Sequence, residues 1–145
     1  MESTPPPITY PPLSPQDEHN WAMLAHLSIL LNLITGLLGT VAALGIYLIF
    51  KDRSRYVAYQ SLQSLVFQLV VWVGGWAIAG TAWALSGVLS VVLIGFLMMP
   101  LACLLSVLPL AAPIYSIVGA VQCSQGQDFR YWLIGDWVRG TLSGA

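Results

Sequence analysis

The chain has 145 residues, a length that would suit one soluble domain, but its composition excludes that class. Charged residues make up 8% of the sequence, against roughly 25% in an ordinary globular domain, and 57% of the residues are apolar. A soluble protein of this size needs more polar surface to stay dispersed, whereas an integral membrane protein does not, because lipid is its solvent. The composition therefore predicts a membrane protein.

The charges are unevenly distributed along the chain. All five Lys and Arg residues lie in the 51–55 loop or after residue 129, whereas residues 1–20 carry only acids. Nothing in this pattern resembles a nucleic-acid-binding surface. We expect the lipid bilayer to be a partner, and we expect no nucleic acid.

Residues 1–19 are predicted to be a disordered Pro-rich tail. They hold six of the nine prolines, and such a run favours extended conformations that pack no core. A polyproline-type ligand for an aromatic groove is the alternative, but a plain disordered tail is the favoured interpretation.

Residues 21–50 are apolar throughout and are too long for one straight span. A single helix here would be about 45 Å long, against a hydrocarbon core of about 30 Å. Gly36 suits a helix C-terminus and Thr40 suits an N-cap. We favour a hairpin of two short helices, about 20–35 and 38–51, with a single tilted or kinked helix as the alternative.

Residues 60–86 form the clearest spanning helix of the sequence. The second half of this helix carries small residues at i, i+4 spacing, which allow a neighbouring helix to approach closely. These predicted helix-packing residues are Gly75, Ala79, Gly80 and Ala84.

Two further helical segments are predicted after the short Ser86-Gly87 turn. Residues 88–122 form a long apolar segment with kinks expected at its three prolines. Residues 128–139 form a short amphipathic helix for the membrane interface. Its apolar face would be built from Phe129, Trp132, Leu133 and Trp137.

The predicted fold class is therefore an all-α membrane protein. Residues 20–140 form a small polytopic helical bundle of four helical segments, the first two short and paired as a hairpin, plus a C-terminal interfacial helix.

A basic cluster interrupts the apolar sequence between two hydrophobic segments. It comprises Lys51, Arg53 and Arg55, followed by Tyr56. Because basic loops face the cytoplasm, we expect this loop and the C-terminal tail to be cytoplasmic. These side chains could also hold a partner or a lipid phosphate, but their effect on topology is sufficient to explain them.

A polar stripe runs along the start of the spanning helix. Gln60, Ser64 and Gln68 recur at i, i+4 and i+8, with Gln63 beside them. Amides inside a membrane are costly unless they are paired, so this stripe should face other helices or a wet cavity. Together with His26 it is the candidate polar or partner surface, with structural interhelical hydrogen bonds as the favoured interpretation.

No residue pattern points to catalysis or to a cofactor. The sequence has no nucleophile–base pair, no carboxylate pair within an apolar segment and no phosphate loop. The two cysteines, Cys103 and Cys123, would lie about 30 Å apart on one helix, which excludes a disulfide. Neither forms a recognisable metal-binding spacing with His19 or His26. We expect no catalytic, cofactor-binding or metal-binding residues.

Three stretches of the chain resemble one known family. K-D-R-S-R-Y-V-x-Y-Q-x-L-Q is similar to the helix-entry motif of the twenty-kilodalton subunit family of the chloroplast inner-envelope protein import (Tic) machinery and of its small bacterial relatives. WAMLAHLSILLNL and AVQCSQGQDFRYWLIGDWV resemble those bacterial proteins, and the likeness covers residues 21–138. The chain has Arg130-Tyr131-Trp132 where Arg-Tyr-Pro is expected, a departure that concerns the local shape of the tail. The resemblance implies four helical segments with both termini on the cytoplasmic or stromal side.

From this resemblance we expect a non-enzymatic membrane protein of the bacterial cytoplasmic (inner) membrane. It would be a component or accessory of a larger membrane complex, in protein translocation or membrane-protein biogenesis. The alternative is a small oligomeric channel or carrier with a path lined by Gln and Ser. Its partners would be other membrane proteins or further copies of the chain.

Overall fold

The computed structural model describes residues 11–143, and every regular element in that range is a helix. The helices are α1 (Pro15–Leu27), α2 (Ile29–Thr35), α3 (Leu38–Phe50), α4 (Arg55–Phe67), α5 (Gly75–Leu89), α6 (Ile94–Ser124) and α7 (Gly135–Ser143). A π-helical stretch, Gln68–Gly74, joins α4 to α5, and a 3₁₀ turn, Ser90–Val92, follows α5.

Helix α1 begins inside the stretch that was predicted to be a disordered tail. The Ser14 side chain accepts the backbone N–H of Asp17, Pro15 occupies the first turn, and Asp17 and Glu18 place negative charge there. These are the features that stabilise a helix N-terminus. The tail prediction is therefore wrong for residues 15–19, and residues 1–10 lie outside the described part of the chain.

The apolar segment after α1 breaks at Gly36 and turns back. Gly36 has a φ of 82° and its N–H bonds to the carbonyl of Asn32, which ends α2. Helix α3 then packs against α2 and α1. At the crossing, a Cβ on Gly39 would overlap the carbonyl oxygen of Ser28, so only glycine allows this approach.

The next helical run is longer than the predicted helix at residues 60–86. It begins at Arg55, because the Ser54 hydroxyl accepts the N–H of Val57 and caps the helix there. It continues without interruption through the π-helical stretch and α5 to Val92, a run of 38 residues.

The turn after this run lies beyond the predicted Ser86-Gly87 position. Ser86 lies inside α5, where it is buried and its hydroxyl bonds to the carbonyl of Ala82. The reversal comes at Leu93, which has a φ of 66°. Gly95 then lies so close to Ser86 that a Cβ would overlap the carbonyl oxygen of Ser86.

Helix α6 returns along α5 and also packs against α1. Its 31 residues include Pro100, Pro109 and Pro113, and the helix runs through all three. At 1.5 Å per residue it is about 46 Å long, more than the hydrocarbon core of a bilayer.

The C-terminal segment differs most from the prediction. Residues 128–134 are not helical, and α7 begins only at Gly135. Phe129, predicted to lie on a membrane-facing surface, is buried, whereas Trp132, Leu133 and Trp137 are exposed. The physical reason is that the backbone of this segment is bound by side chains of α4, as described below.

Two helical runs, Arg55–Val92 and Ile94–Ser124, are long and apolar enough to cross a membrane. Their outer faces carry large exposed apolar side chains such as Ile78, Val88 and Leu104. Such faces are unfavourable in water and normal against lipid.

Candidate functional site

The predicted polar stripe lies inside the protein. The side chains of Gln60, Gln63, Ser64, Gln68 and His26 are all fully buried, at 0% relative exposure. Of the two interpretations, interhelical hydrogen bonds and a polar or partner surface, the geometry agrees with the first, because these side chains form an internal hydrogen-bonded network. Because an unpaired amide in an apolar environment is costly, burial of the whole set requires partners for each member.

Two glutamines of α4 bind the backbone of the non-helical C-terminal segment. The side-chain amides of Gln60 and Gln63 both donate to the carbonyl of Phe129, at 3.1 and 3.0 Å. The side-chain carbonyl of Gln63 accepts the N–H of Tyr131 at 2.9 Å. These bonds replace the intrahelical bonds that residues 129–131 would otherwise make, which explains why the predicted helix does not begin here.

His26 connects α1 to this segment through a chain of hydrogen bonds. Its Nε2 lies 3.0 Å from Oε1 of Gln60, and its Nδ1 lies 3.1 Å from the hydroxyl of Tyr131. An amide oxygen can only accept, so Nε2 carries the proton and Nδ1 accepts from Tyr131. The Tyr131 hydroxyl is in turn 2.7 Å from Oγ of Ser116 on α6. Burial raises the pKa of Tyr131, which keeps the phenol protonated and able to donate.

A second part of the network ties the α2–α3 turn to the spanning run. The side-chain carbonyl of Gln68 accepts from Asn32 at 3.0 Å and from Thr40 at 3.3 Å. The side-chain carbonyl of Asn32 accepts the N–H of Gly39 at 2.7 Å. Gln68 also donates to Ser28, and Ser64 donates to the carbonyl of Ala25. These bonds fix the α2–α3 hairpin against the adjoining helices.

Aromatic rings enclose the part of the network that joins His26, Gln60 and Gln63 to residues 129–131. Tyr131 stacks on Phe67 with ring centroids 4.0 Å apart and planes inclined by 4°. Phe129 contacts His26 edge-on at 5.3 Å, and Tyr115 contacts Phe129 at 5.7 Å. Low polarity around the hydrogen bonds strengthens them, so the aromatic enclosure makes this a rigid unit.

The basic loop lies at the same end of the molecule and near the surface. Lys51 and Arg55 are exposed, and with Tyr56 they line a cavity. Arg53 does not line this cavity; its guanidinium carbon lies 5.4 Å from the centroid of the Phe50 ring. Tyr56 donates its hydroxyl to the carbonyl of Gln127 at 2.9 Å.

Two ion pairs lie within the C-terminal segment at this end. Arg130 pairs with Asp136 at 2.9 Å, and Arg139 pairs with Asp128. The hydrogen bond to Asp128 raises the pKa of the Arg139 guanidinium. Both pairs are exposed and contribute little to stability by themselves.

The predicted helix-packing residues separate into two groups. An added Cβ on Gly75 would lie 3.2 Å from the Pro109 ring of α6, and Ala79 is fully buried. Gly80 and Ala84 are exposed, and nothing lies within 4 Å of a Cβ added to Gly80. The two small-residue pairs are offset along the helix, and only the first faces the neighbouring helix.

Sequence reasoning missed Tyr131 and Ser116 as members of the network. Tyr131 lies 105 residues from His26, and nothing in its spacing indicates that the two side chains meet. Ser116 is a single hydroxyl in an apolar helix, where a bond to its own helix backbone is the ordinary expectation.

The geometry supports a structural rather than a chemical role for the buried network. Its members bond to each other and to the backbone, and Gln60 also donates to the carboxylate of Asp128 at 3.2 Å. Among residues 11–143, no group of three or more His, Cys, Asp or Glu side chains is placed to hold a metal ion.

Comparison with known proteins identifies a different family from the one suggested by the short motifs. The model of the magnetosome magnetite crystal formation protein family, MamF/MmsF, matches residues 17–138. The resemblance to the chloroplast import subunit family is therefore wrong, because its motifs lie within a stretch that this other model covers. Comparisons with curated proteins and with solved structures found no match. Since the match covers most of its length, the chain belongs to the magnetosome magnetite crystal formation protein family.

Proposed function

We propose that this chain is a non-enzymatic protein of the magnetosome membrane that takes part in magnetite crystal formation. The family match over residues 17–138 supports a role in magnetite crystal formation, and the two long apolar helical runs support a location in a membrane. It would act there as a component or accessory of a larger membrane assembly.

The observation that carries this proposal is the contrast between the interior and the surface of the bundle. The glutamines and serines predicted to line a path are buried and bonded internally. The outer faces of α5 and α6 are apolar, with Val88 and Leu104 largely exposed. A bundle of this kind offers lipid and protein neighbours a rigid apolar surface, which favours an accessory over a channel or carrier.

The charged groups suggest how the chain would be oriented. Four basic residues lie at the end of the bundle where one spanning run begins at Arg55 and the other ends at Ser124: Lys51, Arg55, Arg130 and Arg139. By the positive-inside rule this end faces the cytoplasm. The turn at residues 90–93 would then face the interior of the magnetosome.

Complementation tests the proposal. The chain would be expressed in a magnetosome-forming bacterium that lacks its own member of the family, and crystal size would be measured by electron microscopy. We expect the chain to co-purify with magnetosomes and to shift crystal size towards that of the parent strain. A matched control is the Gln63→Leu variant, in which the internal network is broken. Recovery of the intact chain in magnetosomes with no change in the crystals would contradict the proposed role.

A further inference from the structure

A cavity of about 500 Å³ opens at the charged end of the helices. This volume lies within the roughly 300–1,000 Å³ range of small-molecule sites. The residues that line it come from the loop after α3, from α4, from α7 and from the connection before α7, and they include Lys51, Arg55, Tyr56, Asp128 and Arg139.

The cavity carries an excess of positive charge. Arg139 is paired with Asp128 across its wall. The side chains of Lys51 and Arg55 have neither a hydrogen bond nor an ion pair among residues 11–143. Three cations and one carboxylate therefore leave two positive charges, both on side chains that are free to bind an anion.

The cavity also lies at a defined level of the bundle. Arg55 is the first residue of one spanning run, and Asp128 follows closely after Ser124, the last residue of the other. The ends of membrane-spanning helices lie among the lipid headgroups. Ala58 and Leu142 add an apolar part to the wall, next to the cations.

These features fit a phosphate group that is joined to an apolar body. Lys51 and Arg55 supply charge-assisted donors for phosphate oxygens, and arginine is well suited to binding two of them at once. The hydroxyl of Tyr56 is already donated to Gln127, so the two cations are the groups that remain for an anion. We propose that this cavity binds phosphate at the membrane surface, and that the phosphate is the headgroup of an anionic phospholipid. This inference is independent of the role in crystal formation.

Lipid-dependent thermal stability of the full-length protein in detergent tests the proposal. The protein would be titrated with phosphatidylglycerol, with phosphatidylcholine and with inorganic phosphate, and the unfolding midpoint recorded. We expect phosphatidylglycerol to raise the midpoint and phosphatidylcholine to have little effect. In the Lys51→Gln/Arg55→Gln variant the apparent Kd for phosphatidylglycerol should rise on the order of tenfold or more, since two basic groups near anionic lipid are lost.

Matched variants distinguish lipid binding in the cavity from attraction of anionic lipid by the general positive charge at this end of the protein. Arg55→Gln and Arg130→Gln each remove one exposed arginine from the same end, but Arg130 does not line the cavity. The proposal predicts that Arg55→Gln weakens phosphatidylglycerol binding and that Arg130→Gln leaves it unchanged. It also predicts that Lys51→Arg binds phosphatidylglycerol more tightly than Lys51→Gln. Equal weakening in both arginine variants, or no response to phosphatidylglycerol, overturns it. An equal response to inorganic phosphate would support the phosphate site but overturn its assignment to lipid.

Discussion

His26 and Tyr131 meet in the core of this protein, with Nδ1 of the histidine 3.1 Å from the phenol oxygen. The two residues belong to the first helix and to the segment before the last helix. Their contact therefore joins the two ends of the described chain, and Gln60 and Ser116 extend it to the two spanning runs between them.

The first prediction concerns the hydroxyl of Tyr131. Tyr131→Phe keeps the ring stacked on Phe67 but leaves His26 Nδ1 and the Ser116 hydroxyl without their shared partner. We expect a loss of about 1–3 kcal/mol in unfolding free energy, measured by thermal unfolding in detergent. Tyr47→Phe is the control, because the Tyr47 hydroxyl makes no hydrogen bond among the described residues. Equal effects of the two variants would show that the hydrogen bonds contribute nothing.

A second prediction concerns the amide of Gln63. Gln63→Leu keeps similar bulk but removes the partner of the Tyr131 N–H and one of the two donors to the Phe129 carbonyl. A buried N–H without a partner should destabilise the protein by roughly 2–4 kcal/mol. Gln125→Leu, at an exposed glutamine in the nearby turn, should change the unfolding midpoint little. A midpoint for Gln63→Leu that matches this control would argue against the importance of the backbone contacts.

Third, the two small-residue positions of α5 should respond differently to bulk. Gly75→Leu would force a side chain against Pro109 and should cost about 1–3 kcal/mol of stability. Gly80→Leu meets open space, and we expect it to be neutral or slightly stabilising, because leucine favours helix. The measurement is again thermal unfolding. A larger loss of stability in Gly80→Leu than in Gly75→Leu would mean that the face of α5 carrying Gly80, and not the face carrying Gly75, packs on α6.

Topology gives a fourth prediction. Single cysteines would be introduced at Asp52 and at Val91 in a background with Cys103 and Cys123 replaced by alanine. Val91 is 88% exposed at the turn between the spanning runs, and Asp52 is exposed in the basic loop.

In a host where the chain lies in the cytoplasmic membrane, an impermeant thiol reagent added outside intact cells should label Val91→Cys. It should label Asp52→Cys only after permeabilisation, since basic loops remain in the cytoplasm. The opposite pattern would reverse the orientation.

The sequence predicts the helical nature of the chain well and its helix ends less well. The long continuous apolar runs favour helices, because a helix in lipid pairs its backbone groups within its own segment. The predicted helix starts are wrong where a capping side chain determines the first residue of the helix. Ser14 and Ser54 each begin a helix several residues before the predicted start.

The site was predictable only in part. The i, i+4, i+8 spacing placed Gln60, Ser64 and Gln68 on one face, and helical geometry alone suffices for that. The long-range partners of these glutamines were not predictable, because Gln63 binds the backbone of Phe129 and Tyr131 in addition to its bonds with the nearby side chains of Tyr59 and Gln60. Backbone groups carry no sequence signal, so a long-range contact of this kind appears only in the structure.

The attachment of Phe129 to the two glutamines also sets an order of events in synthesis. When the ribosome has added Gln63, 66 further residues must follow before the carbonyl that this amide binds exists. Until then Gln63 lacks both of its backbone partners and His26 lacks the Tyr131 hydroxyl, so these polar groups are only partly paired. A chain that ends before Phe129 therefore leaves polar groups of α1 and α4 incompletely paired, and the completed chain supplies the missing partners.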